Sequence, residues 1–224
     1  MRNSARNVSP KERLQWTTDD WKKVLWSDET KISIFGSDGV RYVRRRPRED
    51  NIPECTTATV KHPVSVMLWG CMAMTGVGRI QIVDNTINAV KYISSILKPK
   101  MLPSARDLFG SGNSYIFQQD SAPCHVANKC MKWFADNNVE VLDWPGNSPD
   151  LNPIDNLWSR LKRAVAAKSN QQGLIEAIIA SWYHLITPEH LAALVESMPR
   201  RCQAVVDAKG FPTRYCALPA YSTH

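Results

Sequence analysis

The sequence predicts an α/β fold, in which a mixed β-sheet is flanked by helices and a helical block makes up the C-terminal part. Residues 31–35 alternate polar and apolar side chains, which is typical of a strand with one buried face. Residues 65–73 (SVMLWGCMA) are almost continuously apolar, as expected for a central strand buried on both faces. Between residues 115 and 142 a strand, a helix and a second strand follow one another, an order that favours parallel pairing.

The first strand follows a short basic lead-in. Residues 1–20 are polar and basic and predict a tail or a short helix. Asp38-Gly39 is a hairpin signal, with the return strand expected at residues 40–43. Periodicity is then lost over residues 44–61, which predicts a long loop rich in arginine. Long loops in compact domains are often functional. This one is either a solvated charged excursion or an arm that touches DNA phosphates or a partner subunit.

The middle of the chain predicts a further strand and a helix. Residues 79–83 alternate in the manner of a strand. Residues 88–102 carry apolar side chains at helical spacing, and Pro99 is expected to bend or end this helix. We expect a mobile loop at residues 104–113, which returns the chain to the sheet at a strand over residues 115–117.

The second half alternates elements and then becomes helical. A helix is expected at residues 124–136 and a short strand at residues 139–142. Asn152-Pro153 signals another helix start, with Asn as N-cap and Pro at the first helical position. Three more helices are predicted, at residues 174–185, 188–196 and 198–208, the last with Arg200 and Arg201 exposed.

This order of elements is a ribonuclease-H-like arrangement. We expect the core domain to span residues 21–168 and to include the loop at residues 44–61. Residues 1–20 form the lead-in, and residues 169–224 form the C-terminal helices and tail. The chain of 224 residues is long enough to bury one substantial core.

Charge and composition narrow the class of protein. The net charge of +7, from 28 basic and 21 acidic residues, suits a polyanionic partner. Six cysteines without a C-x-x-C pair predict reduced thiols in an intracellular protein. The longest apolar stretch, residues 64–73, is too short to cross a membrane, and the N-terminus does not resemble a secretory signal. We expect a soluble protein.

Asp28, Asp120 and Asp155 are the candidate catalytic residues, because a strand, a strand end and a helix start deliver them from adjoining elements. Mg²⁺ prefers oxygen ligands and keeps several waters, so two or three carboxylates suffice to hold it. Two such ions about 4 Å apart can activate a water or a 3′-hydroxyl and stabilise the leaving oxygen during attack on phosphorus.

Each acid also has an ordinary explanation. Asp155 lies where an acid closes a capping box and meets the positive end of the helix dipole. Asp120 could end its strand in an Asx-turn, and Asp28 could be part of a solvated strand end. Glu29 and Asp150 are neighbouring acids without a predicted role.

Cys124-His125 raises the possibilities of zinc binding and of a thiol nucleophile. The sequence has no second Cys/His pair at ligand spacing, and helix neighbours do not face each other. His125 is therefore predicted to line the site beside Asp120.

Four motifs in order carry a resemblance: WSDETKISIFG, VMLWGC, FQQDSAPCH and WPGNSPDLNPIDNLW. Together they resemble the catalytic domain of the Tc/mariner superfamily of DNA transposases, in particular its Sleeping Beauty-like members. The similarity covers roughly residues 9–215. It implies a ribonuclease-H-like fold and Mg²⁺-dependent (or Mn²⁺-dependent) cut-and-paste transposition, with DNA cleavage at element ends and joining of the 3′-OH to target DNA.

The resemblance also implies roles for particular residues. The three family acids match Asp28, Asp120 and Asp155, which would hold two metal ions. The last two acids have 34 residues between them, the family's spacing. The loop at residues 44–61 resembles the family's clamp loop, which contacts DNA and the other subunit. The predicted DNA contacts are Arg44, Arg45, Arg46, Arg48, Lys61, His125, Lys162 and Arg163.

Two departures from the family pattern affect these expectations. Relatives with the SPDLNPI-x-NLW context usually carry Glu as the third acid, whereas this chain has Asp155; the mariner branch uses Asp at the same spacing. Family members also have paired helix-turn-helix domains before the catalytic core, and only about twenty residues precede the core here. We therefore expect no specific reading of terminal repeats.

Three hypotheses remain at this stage. The first is a transposase catalytic domain that acts on transposon ends and target DNA in the nucleus, as a homodimer when assembled on DNA. The second is a non-catalytic, transposase-derived remnant that binds DNA through its basic loop and helices. The third is a nuclease that hydrolyses nucleic acid without strand transfer.

Overall fold

A mixed β-sheet forms the centre of the computed structural model, which describes residues 10–33, 65–83, 86–146, 148–165 and 170–216. The strands are β1 (Val24–Ser33), β2 (Ser65–Ala73), β3 (Gly76–Val77), β4 (Gln81–Val83), β5 (Ile116–Gln118) and β6 (Glu140–Val141). Among the described residues, no helix combines the length and apolar character that a membrane span needs.

Helices cover the sheet. They are α1 (Thr18–Trp21), α2 (Ala89–Lys91), a π-helical segment π1 (Tyr92–Met101), α3 (Leu102–Phe109), α4 (Asn128–Asp136), α5 (Ile154–Val165), α6 (Gln171–His184), α7 (Pro188–Glu196) and α8 (Met198–Asp207). The segments α2, π1 and α3 follow one another without a break.

The strand order is β3-β2-β1-β5-β6, with β4 also paired to β2. β1 is antiparallel to β2, and in this register Asp28 lies opposite Gly70. β1 is parallel to β5, and β5 is parallel to β6, with α4 as the crossover between them. The parallel pairing predicted for the strand–helix–strand unit is therefore confirmed.

Two apolar layers pack on the two faces of the sheet because successive strand residues point to opposite sides. Leu68 belongs to the layer that also holds Trp158 and Trp182. Its neighbour Trp69 belongs to the other layer, with Phe117. β2 is thus buried on both faces, as its apolar sequence predicts.

The helix predicted over residues 88–102 is present and continues past Pro99. The loop predicted at residues 104–113 was wrong in its first part, because the helix continues through α3 to Phe109. Pro99 lies inside π1. Proline removes a backbone donor and clashes with the preceding turn of an α-helix, and the wider π-type turn accommodates this defect.

Other elements begin or end within a few residues of their predicted bounds. The helix predicted at residues 124–136 begins at Asn128, because the N–H groups of His125 and Val126 both donate to the Ala122 carbonyl in a preceding turn. α7 has its predicted bounds, and its N-cap Thr187 accepts from the His190 N–H. The hairpin predicted at residues 37–43 and the loop at residues 44–61 lie outside the described residues.

Candidate active site

Asp28 lies within β1, where the sheet meets the N-terminus of α5. Its side chain is largely buried. Burial, together with the negative charges of Asp155, Glu29 and Asp120, holds the pKa of Asp28 well above its usual value. A nearby cation would lower the pKa of such a group, because a positive charge favours the ionised carboxylate.

Asp155 lies in the first turn of α5 and lines the same cavity as Asp28. Burial raises the pKa of Asp155 to about 6, against the opposing effects of the Asp28 hydrogen bond and of the Lys162 and Arg201 charges. Two carboxyl groups that approach each other in this way share a proton or a cation. The capping-box explanation of Asp155 is therefore not the one that the structure supports.

Asn152 does not act as the side-chain cap that the sequence predicts. Its Nδ2 donates to the Ser27 carbonyl of β1 at 3.4 Å. Its Oδ1 is buried without a hydrogen-bond partner, and Asn152 lines the same cavity as the acids. This tie between α5 and β1 brings Asp155 to Asp28.

Asp120 follows the end of β5, and its Oδ1 accepts a hydrogen bond from the Ala122 N–H at 2.9 Å. The Asx-turn predicted as its ordinary role is thus present. The same oxygen lies 2.6 Å from His125 Nδ1. Burial alone raises the pKa of Asp120, but the hydrogen bonds from His125 and Ala122 outweigh burial and lower it. Asp120 is therefore ionised at neutral pH.

His125 lies beside Asp120, and its side chain is 4% exposed. Its Nε2 lies 3.4 Å from Glu29 Oε1, and its ring packs on Tyr92 with 4.2 Å between the centroids. Burial opposes its charge, but the hydrogen bonds to Asp120 and Glu29 prevail and raise the pKa of His125 to about 10. The predicted direct contact of His125 with DNA is not supported, because the imidazole is buried between carboxylates.

Glu29, which was predicted to have no role, therefore belongs to the site through His125. No sequence signal points to this role, because residues adjacent in a strand face opposite sides of a sheet. The contact depends on how the turn after Asp120 places His125 beside Glu29 in β1.

The three aspartates line one open cavity of about 210 Å³. Its lining residues are Asp28, Gln118, Asp120, Trp144, Pro145, Ser148, Pro149, Asn152 and Asp155. Within the described ranges no three His, Cys, Asp or Glu side chains lie in an arrangement that could hold a metal ion as it stands; the three aspartates share the cavity without forming such a cluster. An open, oxygen-rich wall suits Mg²⁺, which keeps several waters. The unpartnered Asn152 Oδ1 and the raised Asp28 pKa both fit a bound cation there.

The predicted DNA contacts fall into two groups. Arg163 is exposed and Lys162 half-buried on α5, and the Lys162 charge reaches Asp155. The basic residues of the predicted loop lie outside the described residues; they are Arg44, Arg45, Arg46, Arg48 and Lys61.

A family comparison decides the class of protein. Residues 23–176 match the model of the DDE superfamily endonuclease domain. The chain belongs to this superfamily. Its acids Asp28, Asp120 and Asp155 lie within the matched residues.

Two nematode transposases are similar in sequence. The chain is 40% identical over 210 residues to the Tcb1 transposase of Caenorhabditis briggsae, covering 92% of the chain and 75% of that protein. It is 39% identical over 214 residues to the Tc1 transposase of Caenorhabditis elegans, covering 94% of the chain and 77% of that protein. These relatives place the chain among the Tc1/mariner transposases, as the motifs predict.

Solved structures show the same fold. The Mos1 mariner paired-end complex with Mn has a TM-score of 0.78 at 19% identity, with 95% of this chain and 63% of that chain covered. The isolated Mos1 catalytic domain has a TM-score of 0.71 at 18% identity, with 94% and 95% covered. The chain thus spans less than two thirds of the longer Mos1 protein and nearly all of its catalytic domain. The predicted ribonuclease-H-like fold is confirmed.

Proposed function

We propose that this chain cleaves DNA strands in a reaction that depends on a divalent metal, and that it joins the released 3′-OH to target DNA. The observation that carries the proposal is the convergence of Asp28, Asp120 and Asp155 on one cavity. Membership of the DDE endonuclease superfamily and similarity to Tc1-type transposases support it.

Asp28, Asp120 and Asp155 would hold two Mg²⁺ or Mn²⁺ ions. Structures of the Mos1 paired-end complex with Mg and with Mn support a divalent metal of this kind. When bound, the ions supply charge stabilisation at phosphorus and a water or 3′-hydroxyl that is more easily deprotonated.

The chain's own residues prepare the site. Asp120 is held ionised by His125 and by the Ala122 N–H. Asp28 and Asp155 line the same cavity, and burial raises the pKa of both carboxyl groups, so a cation there would favour their ionised forms. Asn152, whose Oδ1 is buried without a hydrogen-bond partner, lines the same cavity.

DNA is the proposed partner, as transposon end and as target. The exposed Arg163 and the neighbouring Lys162 extend from the cavity along α5, and Arg44, Arg45, Arg46, Arg48 and Lys61 belong to the proposed clamp loop. Binding through phosphates should weaken steeply with salt. We further propose that two copies assemble on DNA and that the protein works in the nucleus; the Mos1 paired-end complex with its transposon end supports the DNA part.

The test is cleavage of a labelled transposon-end duplex with Mg²⁺ or Mn²⁺, followed by transfer of a pre-cleaved end into a plasmid. We expect weak metal-dependent nicking that Asp28→Asn and Asp120→Asn abolish. We expect Asp155→Glu to increase it, because the longer side chain extends further into the cavity.

The outcomes separate the alternatives. Hydrolysis without joining would indicate a simple nuclease. Absence of cleavage in both the natural chain and a folded Asp155→Glu variant, with salt-sensitive DNA binding retained, would indicate a non-catalytic remnant.

A further inference from the structure

Arg201 is a buried charged side chain, although the sequence predicts it to be exposed on the last helix. It is 3% exposed. Three of its nitrogens donate hydrogen bonds: Nε to Ser197 Oγ at 2.7 Å, Nη1 to the Asp150 carbonyl at 3.0 Å, and Nη2 to Asn156 Oδ1 at 2.7 Å. A buried guanidinium is costly unless its donors are satisfied, so this arrangement demands an explanation.

Two of the acceptors lie on either side of Asp155. Asp150 precedes it by five residues, and Asn156 follows it directly in the first turn of α5. Between them, Leu151 and Ile154 are fully buried. The guanidinium of α8 therefore spans the segment that delivers Asp155 to the cavity.

Residues after α8 contact both Asp150 and the Arg201 guanidinium. The Thr213 N–H donates to Asp150 Oδ2 at 3.2 Å, and Asp150 is itself fully buried. The Arg201 guanidinium lies 5.0 Å from the ring centroid of Tyr215. The C-terminal residues thus hold Arg201 from one side while the Asp155 segment holds it from the other.

We propose that Arg201 is a positioning residue, which fixes Asp155 at the geometry that metal binding requires. The inference rests on the proposed function of the cavity as a metal site. Residues behind metal ligands orient them, and their loss commonly weakens metal affinity by roughly ten- to a hundredfold. α8 and the tail would accordingly belong to the metal-binding apparatus, although none of their residues up to residue 216, where the description ends, lines the cavity.

The test uses three single variants and one double variant of the full chain. Asn156→Ala removes the bridge to α5 and leaves Arg201 in place, while Arg201→Met removes all three donors. Arg200→Met is the matched control, because it removes the same charge from the exposed neighbour on α8. The double variant measures the coupling between Arg201 and Asn156.

The main readout is Mn²⁺ affinity without DNA, from the free-ion signal in electron paramagnetic resonance, on protein shown to be folded by circular dichroism. We expect Asn156→Ala and Arg201→Met to weaken Mn²⁺ binding about tenfold, and the double variant to be no weaker than Arg201→Met. Arg200→Met should bind as the natural chain does. Metal-dependent cleavage should need correspondingly more Mn²⁺.

A folded Asn156→Ala variant with unchanged Mn²⁺ affinity would overturn the inference, and it decides the matter even if Arg201→Met does not fold. Additive losses of Mn²⁺ affinity in the double variant would also overturn the inference. A natural chain that binds Mn²⁺ but does not cleave DNA would contradict the proposed function alone. A natural chain that binds no Mn²⁺ would contradict both.

Discussion

Asp155 and Asp28 hold their protons more tightly in the folded chain than in the unfolded one. For a carboxyl group with a raised pKa, the contribution to stability is fully present below the unfolded pKa, about 3.9. It is lost as the pH rises through the folded value, which for Asp155 is about 6. Above that pH the two ionised acids weaken the metal-free fold.

Asp155→Asn should therefore stabilise the metal-free chain at pH 8. We expect the free energy of unfolding to rise by about 1–3 kcal/mol, as a shift of roughly two pKa units implies, and little change near pH 4. Thermal unfolding in EDTA at the two pH values measures this. Asp107→Asn, at an exposed ion pair with Arg79, is the control. Equal stability of the natural chain and Asp155→Asn at pH 8 would contradict the electrostatic description.

His125 orients the second acid, so its loss should impair cleavage without removing a metal ligand. We expect His125→Asn to lower the cleavage rate by about ten- to a hundredfold, in the range for groups behind metal ligands. The exposed His184→Asn is the matched control. Single-turnover cleavage of a transposon-end duplex measures the effect, and an unchanged rate for His125→Asn would exclude the orienting role.

The sequence predicts the acidic residues that line the cavity, but it does not predict the residues that hold those acids in place. The three acids are recognisable from their motifs. Arg201 is not, because its burial depends on Asp150 and Asn156, which are far from it in the chain, and on Tyr215 of the tail. The role of Asn152 is not recognisable from the sequence either, because its amide donates to the Ser27 carbonyl of β1 instead of capping α5.

Among the elements, the spacing between β2 and α5 depends on Gly70. This glycine lies opposite Asp28 in the β1–β2 register. A Cβ atom there would lie 2.7 Å from Trp158 Cη2 and 3.2 Å from Trp182 Cη2. The two indoles stack with 4.9 Å between centroids, so neither can withdraw easily. Trp158 shares α5 with Asp155, and any displacement of the ring moves the helix that carries the third acid.

Gly70→Ala should thus affect both stability and activity. Overpacking of a buried site typically costs about 1–3 kcal/mol, and a displaced α5 should also reduce metal-dependent cleavage. Gly76→Ala in β3 is the control, since its Cβ would meet the flexible end of Leu108 at 3.0 Å. Denaturant unfolding and cleavage assays on both variants measure the difference. A Gly70→Ala variant as stable and active as the control would show that α5 can adjust freely.

Elements with strong local signals are predictable here, and elements set by tertiary contacts are not. Thr187-Pro188 marks the start of α7 correctly, because the cap is a local hydrogen bond. The loop predicted from residue 104 was wrong, because the chain continues past Pro99 as π1 and α3, whose buried Ile96, Met101 and Ala105 pack into the core. Packing that depends on distant residues outweighs the local signal in this case.

For the molecule as a whole, the topology explains why three distant aspartates meet. β1 lies between β2 and β5, so Asp28 and the end of β5 at Asp120 are neighbours in the sheet. The tie from Asn152 to Ser27 places the start of α5 over them. The order of strands in the sequence predicts this layout in outline, but the distances between the side chains depend on packing.

The most direct test of the central claim is a crystal structure of the chain with Mn²⁺ and a transposon-end duplex, using anomalous scattering to locate the metal. We expect Mn²⁺ peaks at direct coordination distance from carboxylate oxygens of Asp28, Asp120 and Asp155. Mn²⁺ peaks elsewhere, or no peak at Asp28 and Asp155 in saturating Mn²⁺, would contradict the proposed metal site.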